Sequence, residues 1–187
     1  MNLFVRAVRE FKRGNYPKAQ VLLLDYLKIY PDDTNALLNL GMCYFNMKEY
    51  SDSIEVFSKC VEIHPHYSDA YIGLGLSYEN SGLYSKAIEV LEIVINSEPE
   101  NFGALNNLGI VYSKIGEFQK AIELLTKARK IAPDELGILL SLGRVYEKYG
   151  DFNKAAELYR QVKNHTRDYR FKVLAKEGLR KIKKLNN

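Results

Sequence analysis

The sequence has no tryptophan, two cysteines, three histidines and five prolines among its 187 residues. Each shortage excludes something. Cys43 and Cys60 sit in no CxxC or CxxH context, so neither a zinc site nor a redox pair is expected. Two free thiols fit a reducing compartment, and the expected location is cytoplasmic. His64 and His66 flank Pro65, His165 stands far away, and no acid or cysteine completes a metal set at a workable spacing. No apolar run approaches the roughly 18 residues of a membrane span. Residues 1–13 carry no apolar stretch followed by a small-residue cleavage site, so no secretory signal is read there. Nothing resembles a nucleophile elbow, a phosphate loop or a paired-carboxylate site. The expectation is a non-catalytic chain with no cofactor and no metal.

What is present is a folded composition, 47% hydrophobic and 27% charged. The net charge of +4 is uneven. From Arg170 onward there are seven basic residues against the single acid Glu177, a balance of +6 that leaves the rest of the chain at −2. The pI of 8.9 therefore describes the tail and not the body.

A period of 34 residues organises the chain. Leu, Gly and Tyr recur at spacing 0, +1 and +4 as Leu40/Gly41/Tyr44, Leu74/Gly75/Tyr78, Leu108/Gly109/Tyr112 and Leu142/Gly143/Tyr146. In step with them run a small residue (Ser53, Ala87, Ala121, Ala155), a large one (Phe57, Leu91, Leu125, Tyr159) and Pro65, Pro99 and Pro133. An aromatic follows a turn at Gly82-Leu83-Tyr84, Gly116-Glu117-Phe118 and Gly150-Asp151-Phe152. Tyr71, Leu74, Gly75 and Tyr78 share one helical face, as do Ala87, Leu91, Val94 and Ile95. Each 34-residue unit therefore reads as two amphipathic helices that approach closely at small residues. A single pair cannot bury its apolar face, so neighbours must stack.

These positions resemble the tetratricopeptide repeat, a helix–turn–helix unit of the same length. In that repeat's numbering the Leu-Gly-Tyr group falls at 7, 8 and 11, and the later small, large, small and Pro positions at 20, 24, 27 and 32. The resemblance implies an all-α, right-handed superhelical array, an α-solenoid, of five units at 1–33, 34–67, 68–101, 102–135 and 136–169. The first unit departs from the pattern, with Arg6 for the Leu and Glu10 for the Tyr, as suits an end unit. Residues 170–187 read as a C-terminal capping segment. Its helix places Phe171, Leu174, Ala175, Gly178, Ile182 and Leu185 on one stripe, and Gly178 costs it about 1 kcal/mol relative to Ala.

The family's groove residues come from repeat positions 2, 5, 9, 12 and 13, with 6 beside them. The resemblance thus implies an apolar lining of Phe4, Val8, Leu38, Met42, Phe45, Ile72, Leu76 and Ile110. Asn39, Asn46, Asn80, Asn106 and Asn107 would offer amide contacts, and Lys114, Arg144 and Lys148 cations for acids. The lining turns from apolar to polar and basic along the chain. One reading is a groove for a peptide or amphipathic helix of another protein, which makes the chain a scaffold or adaptor. A second is that positions 5 and 9 merely extend the core. A third is a homo-oligomer contact, as in a self-assembling structural scaffold. The chain also reads as a segment of a larger regulatory or secretion complex. The family's carboxylate clamp is not expected, because its Lys and Arg are missing and Asp69, Gly73 and Gly103 occupy clamp positions. Asn39 and Asn107 are similar to rungs of the asparagine ladder in O-GlcNAc transferase repeats, but Gly73 and Ser141 interrupt it. The basic tail is either a solvated cap or a basic surface helix for an acidic partner, RNA or a membrane face. It lacks tryptophan and the body adds no basic stripe, which argues against nucleic acid.

Overall fold

The computed structural model describes residues 2–185. Among these residues there are eleven helices and no strand, an all-α repeat array. The chain divides into two compact units, one up to Val94 and one from Ile95 onward, with the boundary inside a helix. The first unit contains α1 (Leu3–Lys12), α2 (Tyr16–Leu27), α3 (Thr34–Asn46), α4 (Tyr50–Ile63), α5 (Ser68–Asn80) and most of α6 (Tyr84–Ser97). The second contains α7 (Phe102–Lys114), α8 (Phe118–Ile131), α9 (Leu136–Tyr149), α10 (Phe152–His165) and α11 (Tyr169–Leu185). The capping segment expected at 170–187 ends in two residues that lie outside the described ones.

Each tight connection between paired helices turns through one left-handed residue. Gly14, Gly82, Gly116 and Gly150 have φ between 76° and 93°. No atom lies within 4 Å of the point a Cβ would occupy on any of them, so backbone conformation and not space selects glycine there. In the second helix pair the same place is held by Lys48, at φ 65°. Asn and Asp side chains start several helices. Asp33, Asn101 and Asp151 accept from the backbone N–H groups of Ala36, Ala104 and Lys154 at 2.9–3.1 Å.

The glycines at repeat position 8 do a different job. A Cβ on Gly41 would lie 2.7 Å from the Phe57 ring, one on Gly75 2.8 Å from Leu91, one on Gly109 2.7 Å from Leu125, and one on Gly143 2.7 Å from Tyr159. The large side chain at position 24 of the second helix is thus seated directly on the backbone of the first. Where that side chain is aromatic, the next first helix also yields. A Cβ on Gly73 would lie 2.5 Å from the Phe57 ring, and one on Gly178 would likewise meet the Tyr159 ring. Phe57 and Tyr159 are accordingly 0% and 2% exposed. Where position 24 is Leu125, the following first helix carries Ser141 instead of glycine.

Two departures from the pattern are compensated locally. Ser53 replaces the alanine at position 20, and its buried hydroxyl lies 3.0 Å from the Gly41 carbonyl and 2.8 Å from the Ser77 hydroxyl, which reaches the Gly73 carbonyl at 2.8 Å. Glu10 replaces the position-11 tyrosine. In three later units a lysine eight residues on lies over that tyrosine ring: Lys86 over Tyr78, Lys120 over Tyr112 and Lys154 over Tyr146, at 5.1–5.6 Å. In the first unit the corresponding Lys18 pairs with the Glu10 carboxylate at 3.5 Å, joined by Arg13 at 3.3 Å and Asn15 at 3.2 Å.

The tail helix differs from the expected stripe. Ala175 and Ile182 are buried and Phe171, Val173, Gly178 and Leu179 half-buried, but Leu174 and Leu185 are exposed. The reason is register. Gly178 takes the place against Tyr159 that Gly73 takes against Phe57, so α11 is equivalent to the first helix of another pair. Its separation from Ser141 is 37 residues rather than 34. Gly178 is therefore a packing requirement and not simply a weak point in a helix. At the positions where α3 turns Leu37, Gly41 and Tyr44 toward a second helix, α11 carries Lys176, Arg180 and Lys183, all exposed.

Two substitutions test these assignments by urea denaturation. Lys48→Gly relieves a left-handed residue and is expected to stabilise the chain by about 0.5–1 kcal/mol. Gly73→Ala forces a methyl group into the Phe57 ring and is expected to cost about 1–3 kcal/mol.

Candidate functional site

The candidate residues lie on the first helix of each pair. In the first unit α3 lies beside both α1 and α5, so α1 (Phe4, Val8), α3 (Leu38, Asn39, Met42, Phe45, Asn46) and α5 (Ile72, Leu76, Asn80) present one register. All seven apolar candidates here are half-buried. Phe4 packs 5.4 Å from the Tyr26 ring, Phe45 5.7 Å from Tyr50, and Leu38 and Met42 lean on the cluster around Phe57 and Leu74. They are thus fixed by the core on one side while keeping an accessible side.

The asparagines are held in place by their own helices. Nδ2 of Asn39 donates to the Asn35 carbonyl at 2.7 Å, that of Asn46 to Met42 at 2.7 Å and that of Asn80 to Leu76 at 2.9 Å. With the amide nitrogen tied back to the preceding turn, each side chain is oriented and its Oδ1 is left as the acceptor on offer.

The second unit carries the remaining candidates on α7 (Asn106, Asn107, Ile110, Lys114) and α9 (Arg144, Lys148). Asn106 donates to Asn107 Oδ1 at 3.2 Å, and its own Oδ1 is buried without a hydrogen-bond partner. Ile110 is half-buried, and Lys114, Arg144 and Lys148 are exposed. Arg144 and Lys148 border a cleft of about 290 Å³ whose opposite wall is α11. Glu147 between them is largely buried. It accepts from the Tyr159 hydroxyl at 3.0 Å and pairs with Lys181 of α11. Burial and the Glu147 charge push the Tyr159 hydroxyl well above its ordinary pKa.

Sequence reasoning missed the α11 contribution of Leu174, Glu177 and Lys181 to this cleft. In the register set by Gly178 these residues fall at repeat positions 2, 5 and 9, the same kind of position as the candidates on α9. The signal was a Gly-Leu step, Gly178-Leu179, concealed by three extra residues taken up in the first turn of the helix.

Stacked first helices with an oriented, half-exposed lining define an α-helical repeat scaffold for contacts with other proteins. Profiles of the tetratricopeptide repeat match residues 34–67, 68–101 and 103–167, and the chain belongs to that family. Among solved structures it is similar to a thermophilic TPR protein of Thermus thermophilus, with 23% identity, 95% of this chain and 97% of that one covered, and a TM-score of 0.86. It is also similar to MamA of Desulfovibrio magneticus, with 25% identity, 87% and 92% covered, and a TM-score of 0.72. A further MamA structure shares 28% identity over 95% of this chain and 96% of that one, with a TM-score of 0.68. No curated protein shows a significant match. No helix among the described residues is long and apolar enough to cross a membrane.

Both thiols are buried, and burial pushes Cys43 up to about 12 and Cys60 up to about 11. Iodoacetamide at pH 8 is therefore expected to alkylate the native chain on the order of a hundredfold more slowly than the urea-unfolded chain. Alkylation rates followed by mass spectrometry check this.

Proposed function

We propose that the chain is a non-catalytic adaptor whose first helices hold a peptide or amphipathic helix of another protein. The observation that carries this reading is the row of half-exposed apolar residues at repeat positions 5 and 9 of three neighbouring helices: Phe4 and Val8, Leu38 and Met42, Ile72 and Leu76. Side chains fixed by a core on one side and wetted on the other suit an apolar ligand, because little ordering entropy remains to be lost on binding. Asn39, Asn46 and Asn80 add oriented acceptors for backbone or side-chain N–H groups. Met42 adds a side chain that adapts to ligand shape. In the second unit Asn106, Asn107, Lys114, Arg144 and Lys148 add a polar and basic counterpart beside the apolar Ile110. A cytoplasmic setting is part of the proposal, supported by two buried free thiols.

Leu38→Asp combined with Leu76→Asp tests the reading. The variant is expected to keep its circular-dichroism helicity and to lose a partner that the wild-type chain retains in affinity purification and that binds it directly when both are purified. Unchanged partner affinity would overturn the adaptor reading. Concentration-dependent oligomers of the wild type that the same variant abolishes in light scattering would replace it with self-association.

A further inference from the structure

We propose that the cleft between α9 and α11 receives an acidic side chain of a partner polypeptide. The proposal rests on the adaptor reading above and specifies the chemistry of one part of its ligand.

The charges in the cleft are not all available. Glu147 is 10% exposed and is answered within the chain by Lys181 and by the Tyr159 hydroxyl. Lys181 is thereby committed to an internal carboxylate. Arg144 and Lys148 have no ion-pair partner among the described residues. They stand four residues apart on α9, on one face, where two like charges repel each other. An anion between them removes that repulsion and gains two charge-assisted hydrogen bonds. Both are held at the rim of a walled cleft, and α11, whose basic residues outnumber Glu177, raises the positive field around it.

Three features favour a carboxylate on a polypeptide over a phosphodiester chain. The cleft, at about 290 Å³, holds one side chain and its stem rather than a track of phosphates. Glu177 interrupts the cations, which weakens any continuous anionic contact. Leu174 on the α11 side is apolar and 37% exposed, and suits the methylenes of a Glu or an adjacent apolar residue. The groups on α11 that would draw nucleic acid, Lys176, Arg180 and Lys183, do not line this cleft, and Arg180 and Lys183 border a separate one.

Fluorescence anisotropy with the full chain tests the proposal. The probe is a labelled octapeptide of alternating Leu and Glu with both ends capped, compared with its Gln counterpart. The Glu peptide is expected to bind at least tenfold more tightly than the Gln peptide, with affinity falling as salt rises. Arg144→Gln with Lys148→Gln should weaken it at least tenfold. Glu177→Gln should tighten it about threefold, an effect that a merely structural role would not produce. Lys176→Gln with Arg180→Gln and Lys183→Gln removes more charge and should change affinity less than threefold. All these positions are exposed, and unchanged thermal melting verifies that the variants fold. Absence of binding, equal binding of the Gln peptide, or equal sensitivity to the two sets of cations would overturn the proposal. So would tighter binding of a single-stranded uridine 12-mer, or equal binding of a Gln peptide with a free C-terminal carboxylate. Failure of the adaptor reading is seen separately, as an unchanged partner affinity in the Leu38 and Leu76 variant.

Discussion

The contact on which everything else depends is a large side chain set against a glycine. In each later pair the residue at position 24 of the second helix rests on the bare backbone of the first, Phe57 on Gly41, Leu91 on Gly75, Leu125 on Gly109 and Tyr159 on Gly143. Because there is no Cβ to hold the helices apart, the pair closes to a distance at which one side chain fills the interface. The remaining faces are then positioned without further choice. The first helix has one side against its partner and one against the preceding pair, and the residues left over at positions 5 and 9 are neither core nor surface. The half-buried state of Leu38, Met42, Ile72 and Leu76 is a consequence of that geometry.

The same contact explains how an aromatic is accommodated and how the register continues into α11. A phenyl or phenol ring is longer than an isobutyl group and protrudes past its own pair. Phe57 meets the next first helix at Gly73, and Tyr159 meets α11 at Gly178. Glycine within a helix weakens it, and here the loss is offset by burial of a whole ring. Tyr159 then does a second task. Its hydroxyl emerges beside Glu147, which Lys181 also pairs, so packing and charge together hold α11 against α9. What α11 presents on its other side is Lys176, Arg180 and Lys183 in place of apolar and small residues, a surface made for water.

Much of this was legible in the amino-acid order. The 34-residue recurrence of Leu, Gly and Tyr marks the first helices, and glycine at the turns marks the left-handed residues, because few side chains tolerate positive φ. Lys48 was not legible as one of them, since nothing about lysine signals that conformation. The candidate positions were legible only as a register. Which of their atoms are available was not, because the back-bonding of Asn39, Asn46 and Asn80 and the pairing of Glu147 with Lys181 depend on where neighbouring groups arrive in space.

Sequence alone therefore determined the helix pairs, their order and the identity of the side chains that face one another within a pair. Those facts follow from local periodicity and from a contact repeated at a constant spacing. The tertiary structure decided the role of the tail. Three additional residues ahead of Gly178 break the spacing but not the packing, since α11 takes them up by starting earlier, at Tyr169, while the Tyr159 ring still demands a glycine opposite it. Only in three dimensions does Gly178 align with Gly73, and only then do Lys181 and Glu177 join Arg144 and Lys148 around one cleft.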